Sequence, residues 1–198
     1  MSCNKYLPHV LVLPEDDANR QLANGFLLDQ SLSARSIQVL EEAGGWQEVI
    51  TRFLSDHVAE MERNPNRSMI LLIDFDRDAD RLNRVRARTP AHLRERVYVL
   101  GALNEPEDLK ALGSYETIGS ALAQECREET DHTWSHPDLQ HNAGELQRLR
   151  CARSSDPVPV NLRTRRRQNK GPLGATGVAC PSHMFFPGLP AVPPPLSQ

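Results

Sequence analysis

The sequence lacks the segments that would place a protein in or across a membrane. No apolar run approaches the ~20 residues that a bilayer-spanning helix needs. Residues 1–24 do not join a basic start to an apolar core, as a secretory signal does. We therefore expect a cytoplasmic protein with no membrane partner.

Cysteine is also scarce. The chain of 198 residues contains four cysteines, and no two of them form a Cys-x-x-Cys pair. Scattered cysteines in a reducing compartment are expected to be free thiols, so the sequence does not predict a disulfide framework. The four are Cys3, Cys126, Cys151 and Cys180.

Three common catalytic motifs are missing as well. The sequence has no Gly-x-x-x-x-Gly-Lys-[Ser/Thr], no Gly-x-Gly-x-x-Gly after a strand and no Gly-x-Ser-x-Gly. P-loop, dinucleotide-binding and hydrolase-elbow mechanisms are therefore without support. The net charge of −3 also provides no overall positive field that would attract nucleic acid.

What the sequence does contain is an alternation of short apolar runs and amphipathic segments. The clearest amphipathic segment runs from Trp46 to Met61, where apolar residues recur every three or four positions, and Asn64 and Pro65 end it. The alternation predicts an α/β fold with a mainly parallel central sheet of about four strands flanked by helices. The predicted strands are Val10–Leu13, Ser36–Leu40, Met69–Phe75 and Arg96–Leu103.

The composition changes near residue 150. Residues 151–198 hold nine of the fifteen prolines, with six basic residues and a single acid, Asp156. This segment has no hydrophobic period and few large apolar side chains, so it cannot bury a core that offsets its ordering entropy. We therefore predict an α/β domain over residues 1–150 and a Pro- and Arg-rich disordered tail over residues 151–198.

The stretch "ILLIDFDRDAD" at residues 70–80 begins as an apolar strand and ends in acids at alternate positions. In parallel sheets, ligands bind beyond the carboxyl ends of the strands, and the first predicted strand ends in the acidic "EDD" at 15–17. If the first and third strands are neighbours, Glu15, Asp74 and Asp76 converge. Strand alternation would then place Asp74 and Asp76 on the same side.

Such a cluster of carboxylates predicts a cation. Like charges at close range repel unless a cation lies among them, and Mg²⁺ prefers hard oxygen ligands. The sequence therefore predicts a Mg²⁺ site, with Mn²⁺ as the alternative ion. The competing interpretation is that these acids cap helices and keep loop ends soluble.

The same residues resemble the Toprim fold of topoisomerases, primases and several nucleases, over roughly residues 8–103. That family has a Glu after its first strand and an Asp-x-Asp after a later one, which "EDDAN" at 15–19 and "DFD" at 74–76 resemble. Asp16 and Asn19 depart from the family pattern, which has Gly and commonly Asp at these positions. The resemblance implies Mg²⁺-dependent phosphoryl transfer of nuclease type on nucleic acid. Glu15 would be the catalytic base or a ligand, and the predicted metal ligands are Asp74, Asp76 and, as an auxiliary, Asp78.

A second resemblance is to the receiver domain of response regulators. It implies that Asp16 and Asp17 bind Mg²⁺ and that Asp74 accepts a phosphoryl group. Gly101 stands where receivers have Thr or Ser, and no Lys-Pro follows a fifth strand. A signalling or interaction module with Asp74 as phosphoacceptor is therefore the alternative function.

Two further groups of residues bear on ligands. Arginines follow the acids directly, and the candidate contacts to a nucleic-acid backbone are Arg81, Arg84 and Arg88. The competing interpretation is a solvated helix face whose positive charge balances the acidic remainder of the domain. The second group has the residue types of a zinc site but not its spacing, and we interpret its members as surface or packing residues. They are Cys126, His132, His136 and His141. Protein partners and oligomeric state stay open.

Overall fold

The computed structural model describes residues 6–33, 35–78, 80–104 and 106–155, with side chains up to residue 152. Its four strands form one sheet in the order β2-β1-β3-β4, and every neighbouring pair is parallel. The predicted fold class is thus confirmed, and the predicted first and third strands are neighbours. The strands are β1 (His9–Pro14), β2 (Ile37–Val39), β3 (Arg67–Leu72) and β4 (Val97–Leu100).

Helices connect these strands and continue beyond the last of them. They are α1 (Asp17–Phe26), α2 (Trp46–Arg52), α3 (Val58–Arg63), α4 (Arg81–Arg88), α5 (Tyr115–Glu128) and α6 (Ala143–Ser155). The predicted helix from Trp46 to Met61 is observed as α2 and α3 joined by a π-helical turn, Phe53–His57. Three 3₁₀ segments cover Ala91–Arg96, Pro106–Leu112 and Gln140–Asn142.

The predicted boundary at residue 150 falls inside a helix. α6 extends to Ser155, so residues 151–155 belong to the folded unit rather than to the tail. The remainder of the predicted tail, residues 156–198, lies outside the described residues. Within the described part of the chain, no helix combines the length and apolar character that crossing a membrane requires.

The sheet separates two layers of helices. Leu11, Leu13, Met69 and Leu71 point to one face, where they pack with residues of α2, α3 and α4. The other face is covered by α1, α5 and α6. Burial of apolar side chains on both faces explains why these strands appear in the sequence as continuous apolar runs.

The outer edge of β4 is covered by side chains rather than by another strand. Asn142 accepts a hydrogen bond from the N–H of Gly101 and donates one to its carbonyl oxygen, at 3.1 and 2.8 Å. One turn along, Glu145 accepts from the N–H of Val99 at 3.3 Å. These side chains satisfy backbone groups that an open edge would leave available for another strand.

Candidate functional site

The site lies where the chain leaves the two central strands. β1 and β3 are neighbours, and the chain leaves β1 for β2 on one side and leaves β3 for β4 on the other, so the connections from their carboxyl ends run in opposite directions along the sheet. Parallel α/β proteins bind ligands in the crevice that forms at such a point. Glu15 follows β1 there and Asp74 follows β3, as the sequence predicts for neighbouring strands.

Glu15 and Asp74 are in direct contact. The backbone N–H of Asp74 donates a hydrogen bond to Oε2 of Glu15 at 2.9 Å. The backbone N–H of Trp46, at the start of α2, also donates to the Glu15 carboxylate. Two N–H groups from different elements therefore fix the Glu15 side chain at the mouth of the crevice.

Asp16 joins the same cluster through Asn19. Asp16 is the N-cap of α1, and its Oδ1 accepts the backbone N–H of Asn19 at 2.8 Å. The side-chain nitrogen of Asn19 lies 3.0 Å from Oδ1 of Asp16 and 3.0 Å from Oδ1 of Asp74. One buried amide thus bridges two carboxylates from different strands.

The electrostatics of the cluster favour a neutral or cation-bound state. Burial raises the pKa of Asp74 to about 7, and the nearby charges of Glu15, Asp16 and Asp76 add to the increase, which the hydrogen bond from Asn19 opposes. Burial likewise raises the pKa of Glu15, although the two backbone N–H groups lower it in part. A cation at this position would relieve both effects.

Asp76 lies near the cluster but is held by a different partner. β3 ends at Leu72, and Asp76 has a left-handed backbone with φ of 46°, so strand alternation does not determine its direction. Its carboxylate accepts a hydrogen bond from the guanidinium of Arg81 at 2.6 Å, and the same guanidinium donates to the carbonyl oxygen of Asp74. The expectation that alternation aligns Asp74 with Asp76 is wrong, although the charge of Asp76 still acts on Asp74.

The other residues predicted from the acidic stretch face elsewhere. Asp78 pairs with Arg84 and accepts the N–H of Asp80, so the structure does not bring it to Glu15 and Asp74. Arg81 is buried, with its guanidinium carbon 5.0 Å from the ring centroid of Trp46. Arg84 and Arg88 are exposed on α4, so they suit the predicted contact with a nucleic-acid backbone better than Arg81 does.

Two observations bear on the receiver alternative. Asp17 pairs with Arg20 on the exposed side of α1 and has no contact with the Asp74 carboxylate among those observed. A Cβ atom on Gly101 would lie 1.5 Å from the carbonyl oxygen of Ile73. The Thr or Ser that receivers have at this position would therefore collide with the backbone.

The possible zinc ligands are dispersed around a packed segment. His141 lies edge-on to Phe75 with ring centroids 4.6 Å apart, and burial lowers its pKa. Among the residues whose side chains the structure describes, no three His, Cys, Asp or Glu side chains are arranged to hold a metal ion together. The interpretation of these histidines as packing or surface residues stays a prediction.

The residues of the crevice nevertheless fit Mg²⁺. This ion is commonly held by one or two carboxylates and keeps several waters, so it does not require three protein ligands in advance. Asp74 and Asp16 offer hard oxygens that one amide already holds close together. The side-chain oxygen of Asn19, at the opposite end of the amide from the nitrogen that faces these carboxylates, is buried without a hydrogen-bond partner.

Sequence reasoning missed the contribution of Asn19 and gave Asp16 a role as metal ligand only in the receiver alternative. The signal for both is the spacing "DDAN" after β1, in which an N-cap acid is followed three residues later by an amide on the same helical turn. The stacking of Trp46 against Arg81 has no comparable signal, because the two residues are 35 positions apart. Comparisons with protein-family models, curated proteins and solved structures give no significant match.

Proposed function

We propose that this chain is a Mg²⁺-dependent phosphoryl-transfer enzyme of nuclease type that acts on nucleic acid. The observation that supports the proposal is the meeting of Glu15, Asp16 and Asp74 in the crevice between β1 and β3, where burial and like charge raise the pKa of Asp74. The order of a Glu after β1 and an Asp-x-Asp after β3 is also that of Toprim proteins. Perturbed carboxylates in a cleft are typical of catalytic sites.

Asp74 and Asp16 would hold the cation, and Asp76 would serve as a further ligand through water. The ion supplies the positive charge that stabilises the oxygens of the transferring phosphate. Arg81 holds the turn after β3 in place, because one guanidinium group bonds to the backbone of Asp74 and to the side chain of Asp76.

Glu15 would be the general base. Its carboxylate is held by the N–H groups of Asp74 and Trp46, and its raised pKa brings it closer to neutrality, where a base exchanges protons effectively. Glu15 would accept the proton of the attacking water as the new P–O bond forms. The ester P–O bond to the leaving oxygen then breaks, and that oxygen takes a proton from solvent.

The substrate would reach the site across α4. Arg84 and Arg88 are exposed on this helix, directly after the acidic turn. Arginine side chains bind phosphate oxygens by charge-assisted hydrogen bonds, which supports a nucleic-acid backbone as the bound polymer. Arg84 also lies 5.6 Å from the ring centroid of Trp46, which limits its conformations.

The second candidate is a receiver-like phosphoacceptor at Asp74. The strand order β2-β1-β3-β4 favours it, since flavodoxin-like and receiver proteins share this order for their first four strands. The tight contact at Gly101 and the outward direction of Asp17 are against it.

Cleavage assays separate the two candidates. Purified protein is incubated with single-stranded and duplex DNA and RNA, in Mg²⁺ or Mn²⁺, and in a second experiment with acetyl phosphate. The replacement Glu15→Gln should lower metal-dependent cleavage by at least about 100-fold, the usual effect of losing a general base. The matched control Asp17→Asn changes a neighbouring exposed acid and should retain cleavage. No cleavage of any substrate, together with stable phosphorylation of Asp74, would favour the receiver.

A further inference from the structure

The side chain of Asn19 is the least exposed part of the candidate site. Asn19 is completely buried, and its nitrogen donates to Asp16 and to Asp74 at 3.0 Å each. These two bonds replace part of the repulsion between the carboxylates with attraction. In the absence of a cation, the amide therefore stabilises the two neighbouring carboxylates, as a bound ion would.

The other end of the same amide has no partner. Oδ1 of Asn19 is buried and accepts no hydrogen bond. A buried polar atom without a hydrogen-bond partner lowers stability by on the order of 1–3 kcal/mol, and native proteins retain few such atoms. The amide oxygen and nitrogen are nearly equal in size, so a half turn about the Cβ–Cγ bond exchanges their positions without displacing neighbours.

We propose that Asn19 is a cation-dependent ligand that turns its amide by a half turn when Mg²⁺ binds between Asp16 and Asp74. This inference rests on the proposed function, since it concerns the ion of the same site. Without the ion, the nitrogen faces the two carboxylates, as observed. With the ion, Oδ1 faces it as a neutral oxygen ligand, because an NH₂ group would be repelled by the cation.

The main cost of the half turn is the loss of the two hydrogen bonds to Asp16 and Asp74, which contacts of the bound cation would replace. Either orientation leaves one polar end of the amide in the same unpartnered position, so the penalty is already present in the ion-free state. The backbone N–H of Asn19 keeps its bond to Asp16 in both states, and the N-terminus of α1 stays capped. The switch therefore involves one side-chain torsion on a fixed helix.

A purely structural role for Asn19 predicts the opposite result for one substitution. If the amide only bridges the carboxylates, it competes with the cation for the same oxygens. Its replacement by Leu would then leave Mg²⁺ affinity unchanged or increase it. If Asn19 supplies a ligand oxygen, the same replacement weakens Mg²⁺ binding.

Isothermal titration of the full chain with Mg²⁺ alone measures this difference. We expect Asn19→Leu to raise the Kd for Mg²⁺ about 10-fold or more, an effect of the size found when groups that support a metal site are lost. Asn24→Leu, an exposed position on the same helix, is the matched control and should leave the Kd unchanged. Equal or tighter binding by Asn19→Leu overturns the proposal.

A measurement on the wild-type protein does not depend on whether a variant folds. In the ¹⁵N-labelled protein, the side-chain NH₂ protons of Asn19 should be shifted downfield by their two carboxylate acceptors. Saturation with Mg²⁺ should remove this shift, and an unchanged signal overturns the proposal. Absence of Mg²⁺ binding by the wild type overturns both this inference and the proposed function. Mg²⁺ binding that is weakened by Asn19→Leu, without cleavage of any nucleic acid, overturns only the proposed function.

Discussion

Asp74 is the residue whose ionisation most affects the folded state. Its pKa is raised to about 7 by burial and by the charges of Glu15, Asp16 and Asp76. In the unfolded chain the same carboxyl group loses its proton near pH 4. The folded state thus binds one more proton than the unfolded state between these values, so stability falls as the pH rises from about 4 to about 7.

The replacement Asp74→Asn should remove most of this dependence. In buffer with a chelator, we expect the variant to be about 1–3 kcal/mol more stable than wild type at pH 8 and equally stable at pH 4, since each pKa unit corresponds to about 1.4 kcal/mol. Urea unfolding across this range measures the effect. Asp78→Asn, whose carboxylate pairs with Arg84, is the control and should keep the wild-type pH profile. If the stability of Asp74→Asn and that of wild type depend on pH in the same way, Asp74 is not the source of the pH dependence.

From the sequence, the proximity of Glu15 and Asp74 could be predicted, but the groups that hydrogen-bond to them could not. Both follow strands, and the carboxyl edge of a parallel sheet brings such residues together whatever their side chains do. The direction of Asp76 depends on a left-handed backbone that no residue type in "DFDRD" demands. The bridge made by Asn19 depends on side-chain torsions, which a sequence pattern does not specify.

Among the elements, the 3₁₀ segment Gln140–Asn142 and the helix α6 that follows it have a clear structural role at the edge of the sheet. Asn142 satisfies both backbone groups of Gly101 and also donates to the carbonyl oxygen of Leu139 at 2.9 Å, from a position that is 1% exposed. Glu145 continues this edge cover one turn later and pairs with Arg86 and Arg148. The 3₁₀ segment and the helix together thus cover the edge of β4, where a fifth strand would otherwise pair.

The substitution Asn142→Ala tests this role. It should lower the free energy of unfolding by about 1–3 kcal/mol, because two buried backbone groups lose their partners. Chemical denaturation followed by circular dichroism gives the value. Asn83→Ala removes an exposed amide from α4 and should stay within about 0.5 kcal/mol of wild type. Equal stabilities for the two variants would show that the edge of β4 does not need Asn142.

The positions of the strands and helices were predictable where the spacing of apolar residues determines them. All four strands and the long helix after β2 lie where apolar spacing places them, since burial on both faces leaves a strong pattern. The ends were less predictable. The predicted third strand continues to Phe75, but β3 stops at Leu72 because its pairing with β1 ends there. The last helix passes residue 150 because Cys151 and Ala152 continue it without a breaker.

At the scale of the whole molecule, strand order determines which residues meet at the carboxyl edge of the sheet. The sequence left the neighbours of β1 open, and the sheet supplies them by placing β1 between β2 and β3. This order brings acids that are about sixty residues apart into one hydrogen-bonded group. Folding therefore assembles a cluster of like charges, and under the proposed function a bound cation would offset their repulsion.

If the proposed cation binds this cluster, the thermal stability of the fold should report its binding. A ligand that binds only the folded state stabilises it by an amount that grows with the logarithm of the ligand concentration and reaches about 2.7 kcal/mol at 100 times its Kd. For a domain of this size, that corresponds to a rise in Tm of roughly 5–10 °C. We expect Mg²⁺ and Mn²⁺ to produce such a rise in the wild-type protein, and we expect NaCl at equal ionic strength to produce none.

The double variant Asp74→Asn with Asp76→Asn should lose the metal-dependent rise while retaining its fold. The matched control is Asp17→Asn with Asp78→Asn, which removes the same number of charges from acids that pair with Arg20 and Arg84 outside the cluster. That control should respond to Mg²⁺ as the wild type does. Differential scanning calorimetry of all three proteins, with and without Mg²⁺, provides the measurement. If the metal raises the Tm of the Asp74 and Asp76 variant as much as that of the control, the cation is bound elsewhere and the crevice between β1 and β3 is not its site.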